Sequence, residues 1–146
     1  MDKIYWDDLT EGDVFWGDTV VVDAEEMVEF ARRNDPLPFH VDETAAKDSI
    51  FGTLVASGGF TVALWYRSLI PVLERLALLG GNKWDITLPA PVRPNDQLRC
   101  RVEVKSKRLS SKPGRGYALV YEEMFNQDDV VVFTNELTWF LTTRPD

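Results

Sequence analysis

Cysteine and histidine each occur once, as Cys100 and His40. A lone cysteine excludes an internal disulfide, and one histidine with one cysteine makes no convincing set of metal ligands. The carboxylates show no calcium-loop spacing, and there is no glycine-rich phosphate loop. Positive charge is scarce. Lys and Arg number 16 against 24 Asp and Glu, a net charge of −8, which argues against general nucleic-acid binding. Long apolar runs are also lacking. The longest, around residues 60–79, is interrupted by Arg67, Pro71, Glu74 and Arg75, so no membrane span is expected. The acidic start, Met1 to Asp8, has no apolar core of a signal peptide. Together with the unpaired cysteine this leads to the expectation of a reduced, cytoplasmic setting.

What is present suits one soluble domain. The chain has 146 residues, 45% hydrophobic and 27% charged, enough for a real core across residues 1–146. In the first half, Thr19 to Val22 form a short β-type run. Asp23 then reads as an N-cap, with Glu26 three residues on completing a capping box. Met27, Phe30 and Ala31 share one face of the helix that follows. That helix should stop near Asn34, because Pro36 disfavours helical geometry at Asp35. The proline-bracketed segment 35–39 is expected to be extended. Asp42 can cap a short helix over Glu43 to Asp48. A longer helix, Phe60 to Leu69, is apolar nearly all round and must be enclosed. Pro71 should end or kink it, leaving another turn or two from Val72 to Leu79 before Gly80-Gly81.

The second half changes period. A short strand is expected over Lys83 to Leu88. Leu98, Cys100, Val102 and Val104 alternate with charged residues; Tyr117, Leu119 and Tyr121 alternate with Ala118 and Val120. Val131, Phe133, Leu137, Trp139 and Leu141 keep one parity. Period two over three successive runs predicts antiparallel strands with a packed face. The class is α+β: an antiparallel sheet wrapped around a central helix.

His40 ends the run Asp35-Pro36-Leu37-Pro38-Phe39-His40. Acid–base work near neutral pH favours an imidazole, and this chain has one to offer. The prolines stiffen the segment joining it to Asp35. By spacing alone, a partly buried histidine bonded to a backbone carbonyl is the readier reading.

Asp35 to His40, then Asp42 and Ala45, Phe51-Gly52 and Ala56-Ser57-Gly58 resemble the signature of the MaoC-like (R)-specific enoyl-CoA hydratases and dehydratases. Pro91-Val92-Arg93-Pro94-Asn95-Asp96 resembles that family's later Pro-Val-x-Pro-Gly-Asp turn, and Asn126-Gln127-Asp128 its last turn. Leu37 stands where the family commonly has Asn, and Ser57 where it has His. Both place the chain nearer a branch with Asp-Pro-x-Pro-Phe-His and Ala-Ser-Gly.

The resemblance implies the hot-dog fold, a homodimer or higher homo-oligomer, and reversible addition of water to a trans-2-enoyl-CoA giving an (R)-3-hydroxyacyl-CoA. Asp35 and His40 would be catalytic; Leu37, Phe51, Gly52, Ser57, Gly58 and Gly59 would contact substrate. Gly58, with Gly59, would stabilise an enolate-like oxygen through amides at a helix start. No cofactor is implied, coenzyme A entering only as part of the substrate. Two alternatives stand beside this: a hot-dog acyl-CoA thioesterase, and a non-catalytic binder of acyl-CoA or an acyl carrier. The basic stretch Lys105, Lys107, Arg108, Lys112 and Arg115, and Arg93 apart from it, read either as contacts for the phosphates of coenzyme A or as solvated surface.

Overall fold

Helix α4 (Gly58–Leu73) buries Phe60, Leu64, Trp65, Leu69 and Val72, so it needs an apolar wall on more than one side. A six-stranded antiparallel sheet supplies that wall. The computed structural model describes residues 2–146, apart from the side chain of Asn82. In it β1 (Val14–Trp16) and β2 (Val20–Val21) both pair with β4 (Gln97–Leu109). Then come β5 (Arg115–Phe125), β6 (Val131–Thr142) and, at the far edge, β3 (Leu78–Thr87). Helices α1 (Ala24–Asn34), α2 (Pro38–Val41) and α3 (Glu43–Lys47) precede α4. This is the expected α+β class, in the hot-dog arrangement.

The inward faces follow the strand periodicity. Strand β4 buries Leu98, Cys100, Val102 and Val104. On β5 the buried set is Ala118, Val120 and Met124, while Tyr117, Leu119 and Tyr121 point the other way. On β6, Phe133, Leu137, Trp139 and Leu141 are buried as their parity predicts. Val131 is not, because the register slips by one residue there: Phe125 faces Val131 while Met124 faces Phe133.

Four expectations need correction. Residues 35–39 are not extended throughout, since Pro38 is the first residue of α2, a position where the absent N–H costs no helical bond. The capping box at Asp23 is one-sided. Asp23 accepts from the Glu26 amide at 2.8 Å, but the Glu26 carboxylate pairs instead with Arg67 at 2.5 Å. Pro71 does not end α4, which runs to Leu73. Buried Leu69 and Val72 hold it on either side, and the Ser68 hydroxyl donates to Asp18 O and accepts from the Cys100 amide. Finally, Val72 to Leu79 is not further helix up to the glycines: β3 starts at Leu78, with register shifts on both sides of Gly80-Gly81.

Two polar residues occupy the inner face without a sequence expectation. Glu122 on β5 and Asn135 on β6 are cross-strand partners, each fully buried. Asn135 Oδ1 accepts the Asp85 amide at 3.0 Å and so fastens the edge strand. Burial pushes the Glu122 carboxyl up to about 8; the Trp65 indole and the Asn135 amide offset part of that rise. Neither oxygen makes a hydrogen bond of acceptable geometry.

A carboxyl whose pKa is raised by folding holds its proton in the folded state over a range where the unfolded chain has lost it. Its contribution to stability therefore falls as pH rises from about 4.5 to about 8, at up to roughly 1.4 kcal/mol per pH unit. Urea unfolding of the wild type and Glu122→Gln across that window measures this. The stability difference between them is expected to widen in favour of the variant as pH rises, and to level off above the folded pKa.

Candidate active site

The chain turns sharply between α1 and α2, and the turn builds the site. Asp35 is the C-cap of α1, Pro36 forbids the helix to continue, Leu37 is the N-cap of α2, and Pro38 opens it. The His40 amide bonds back to Leu37 O at 2.9 Å. As a result His40 Nε2 lies 3.3 Å from Asp35 Oδ2. His40 is 7% exposed, with Phe39 edge-on against the imidazole and Phe51 beyond.

Its other nitrogen is committed. His40 Nδ1 is 2.7 Å from the Val55 carbonyl oxygen. A carbonyl can only accept, so Nδ1 carries hydrogen and the neutral ring has its lone pair on Nε2. Nε2 and the Asp35 carboxylate are then two acceptors facing one space. A single water, donating one hydrogen to each, satisfies both, and proton transfer from that water needs no reorganisation of the ring. The expected tether of a buried histidine to a backbone carbonyl is present, and the second nitrogen lies next to the Asp35 carboxylate.

A cavity of about 260 Å³ opens beside His40, lined by Phe51, Val55, Thr61, Leu88 and Val92 among others, and by Gly58 at the start of α4. A Cβ on Gly58 would come within 2.9 Å of Leu88 Cδ1, so glycine keeps this end of the helix open. Amides of the first helical turn have no partner within the helix, and the helix dipole favours negative charge there. The opposite wall is pinned. The Ala56 amide bonds to Val92 O at 2.8 Å. Beyond Val92, buried Asp96 accepts from the Arg93 amide at 2.9 Å and from Gln127 Nε2 at 3.0 Å. Asn95 makes the tight turn with φ 70°, a conformation that asparagine tolerates better than most residues.

Of the residues expected to contact substrate, Phe51 and Gly58 line this cavity. Gly59 instead faces the Phe30 ring. Ser57 is buried at the N-cap position of α4 without a side-chain capping bond. Leu37 is exposed, and Gly52 (φ 69°) borders a separate depression with Glu43 and Lys47. Thr61 and Leu88 line the cavity without having been singled out in the sequence, and Val92 lines it from the turn that was. Thr61 and Val92 are buried. Asp42 is an N-cap, accepting from Thr44 and Ala45.

The basic stretch lies elsewhere. Lys107 donates to Trp6 O and Leu9 O and sits over the Trp6 ring, Arg108 lies over Tyr117, Arg115 over Phe140, and Lys105 pairs with Glu103. These cations cover aromatic rings of β5, β6 and the N-terminal segment. Neither they nor Arg93 line the cavity beside His40.

Residues 10–124 match the MaoC like domain family, and the chain belongs to it. The Bacillus subtilis (strain 168) protein YdeM is 32% identical over 137 residues, covering 90% of this chain and 94% of that protein. The crystal structure of the MaoC-like dehydratase from Rhodospirillum rubrum is similar at 33% identity with TM-score 0.89, over 98% of this chain and 99% of that one. The unliganded R-hydratase PhaJ1 from Pseudomonas aeruginosa shares the fold, with TM-score 0.72 at 22% identity over 98% and 88% of the two chains.

The tautomer of His40 is directly measurable, because it is the single histidine. ¹⁵N-labelled histidine in the neutral form should show a protonated-type Nδ1 and a pyridine-type Nε2 resonance, the reverse of the free amino acid's preference. An Nε2–H ring would contradict the bond to Val55 O.

Proposed function

We propose that this member of the MaoC-like family is an acyl-thioester hydratase/dehydratase, adding water reversibly to a trans-2-enoyl-CoA to give an (R)-3-hydroxyacyl-CoA. The observation that carries the reading is the approach of His40 Nε2 to Asp35 Oδ2, 3.3 Å, where His40 lines a cavity beside a helix start. The family and the relatives called dehydratase or R-hydratase support it.

In the hydration direction the pair holds one water. One member takes a proton as the water oxygen bonds to C3. The π electrons of the double bond move toward the thioester, and charge gathers on its oxygen. In this reading the Gly58 amide, at the positive end of α4, receives that oxygen. A proton passes from the pair to C2. The sum is H on C2 and OH on C3, with Asp35 and His40 returned to their starting states. The tether from Nδ1 to Val55 O keeps Nε2 aimed at the water through both transfers. The apolar lining excludes competing water.

The same fold could run a thioesterase, with the activated water attacking the carbonyl carbon instead. A binder without turnover would leave the pair unused. The reaction products separate all three.

A homodimer accompanies this reading. Strand β3 ends the sheet order with one side unpaired. Leu79, Trp84 and Leu88 on and just after it, with Tyr66 and Ile70 on α4, are large apolar residues left exposed. An unpaired strand edge beside such a patch is a surface for a second copy.

Loss of absorbance of the conjugated enoyl thioester, with a thiol trap in parallel, tests the chemistry. Turnover without thiol release is expected, reduced about 10²–10⁴-fold in Asp35→Asn and in His40→Ala. Thiol release would replace the hydratase with a thioesterase. Ligand binding without either signal would leave a binder. For the assembly, sedimentation should give twice the monomer mass for the wild type and the monomer mass for Leu79→Lys.

A further inference from the structure

The outer face of the sheet carries a groove of about 520 Å³ at its β1–β4 end. The groove shares no lining residue with the cavity beside His40. It also lies at the opposite end of the strand order from β3, the edge offered to a second copy, so dimerisation there leaves it open.

Strand register assembles its walls. Gln97, Arg99 and Arg101 share one parity of β4, opposite to that of buried Leu98, Cys100 and Val102. Trp16 of β1 pairs across the sheet with Arg101, and Phe125 of β5 with Arg99. The Trp16 and Phe125 rings stand 6.2 Å apart, tilted by 39°. The Arg99 guanidinium lies 5.0 Å from the centre of the Trp16 ring. Aromatic rings and guanidinium groups thus line one depression.

Elsewhere on this face, cations over rings serve as a cover for apolar surface. Here the cover is incomplete, because Trp16 remains 46% exposed beneath Arg99. The guanidiniums are also unsaturated. Arg99 Nε donates to Gly17 O at 2.8 Å, which anchors the fork and leaves its two terminal nitrogens without a hydrogen-bond acceptor among the described residues. Arg101 Nη1 reaches Glu103 Oε2 only at 3.4 Å, while Lys105 takes the same oxygen at 3.0 Å. Asn126 Oδ1 accepts the Asp128 and Val130 amides, so what that side chain has left to offer is its NH₂ donor. Asp129 is the one carboxylate among the lining residues, against Arg99 and Arg101. The groove is therefore locally positive in a chain of net charge −8.

These features select a ligand class. An exposed ring face takes a flat ring, and a guanidinium fork takes a planar carboxylate or a phosphate. An aliphatic anion would leave the ring face wet, and a neutral ring would leave the guanidiniums without an acceptor.

We propose that this groove is a binding site for a planar aromatic anion, its ring laid on Trp16 beside Phe125 and its carboxylate or phosphate held by Arg99 and Arg101. The volume falls within the roughly 300–1,000 Å³ of small-molecule sites. The proposal does not depend on the thioester reading of the first cavity.

Calorimetry on the whole chain tests it with three probes of similar size. They are 2-naphthoate, 2-naphthamide (the ring without the charge) and decahydro-2-naphthoate (the charge without the flat ring). The wild type should bind 2-naphthoate more tightly than either of the others by roughly tenfold or more. Trp16→Leu and Arg101→Gln should each weaken 2-naphthoate by about the same factor. Arg101→Gln keeps a polar side chain on the outer face and remains decisive where Trp16→Leu does not fold. Arg108→Gln removes a guanidinium that lies over Tyr117 outside the groove, and should leave binding within about twofold of wild type. A second arm compares adenosine 5′-phosphate with adenosine. Preference for the phosphate, lost in the same variants, identifies a nucleotide as the source of ring and anion. Binding of 2-naphthoate without the nucleotide identifies an aromatic carboxylate. Equal binding of the three probes, no binding of either anion, or binding unmoved by Trp16→Leu and Arg101→Gln would overturn the proposal.

Discussion

Helix α4 carries Phe60, Leu64, Trp65, Leu69 and Val72 into the interior, and neither it nor the sheet is stable while those side chains meet water. Each large side chain of this kind contributes about 1.5–3 kcal/mol on burial, so enclosing the helix is the dominant local demand. The sheet answers it with inward residues from β4, β5 and β6. Once the helix is fixed in the sheet, its N-terminus is fixed too. That end presents Gly58 to the cavity, opposite Val92 and next to the carbonyl that holds His40. The site is a by-product of where a buried helix has to begin.

Much of this was legible in the sequence because it depends on local chemistry. Asp23 and Asp42 as caps, the stop near Asn34, and the parity of Leu98 to Val104 all follow from single residues and their neighbours. The closeness of Asp35 and His40 was legible for another reason: two prolines leave a short segment few ways to run. The details failed where tertiary packing overrode a local rule. Pro71 sits within α4 because buried neighbours and the Ser68 bonds hold the helix past it. The segment holding Pro38 was read as extended, and Pro38 instead opens α2; the same ring ends a helix or begins one, depending on where it stands in the turn. Strand β3 was read too short because two glycines look like a turn until a neighbouring strand accommodates them as irregularities.

Glu122 and Asn135 escaped notice for a different physical reason. Strand β5 is apolar or aromatic on both faces, with Tyr117, Leu119 and Tyr121 on one and Ala118, Val120 and Met124 on the other. Alternation then announces a strand without saying which face is inside. A carboxylate at the parity of Ala118 and Val120 would ordinarily argue that this face is wet. Only the packed structure shows that it is the dry one. The basic stretch is conspicuous in an acidic chain, and what the sequence does not show is that Lys107, Arg108 and Arg115 lie over aromatic rings and cover apolar surface.

The edge strand joins these strands of argument. Asn135 holds β3 to the sheet through the Asp85 amide, while register shifts on either side of Gly80-Gly81 bend the strand. Trp84 then meets Trp65 edge-on and Tyr66 at an angle, across the space between strand and helix. Aromatic rings in such contact fill volume without the close interlock of aliphatic side chains, and a groove of about 210 Å³ remains between α4 and β3. The Trp65 indole above and the Asn135 amide beside it act on the buried carboxyl of Glu122 and offset part of the cost of its burial. The residue that fastens the edge strand to the sheet thus also helps the interior carry a polar group.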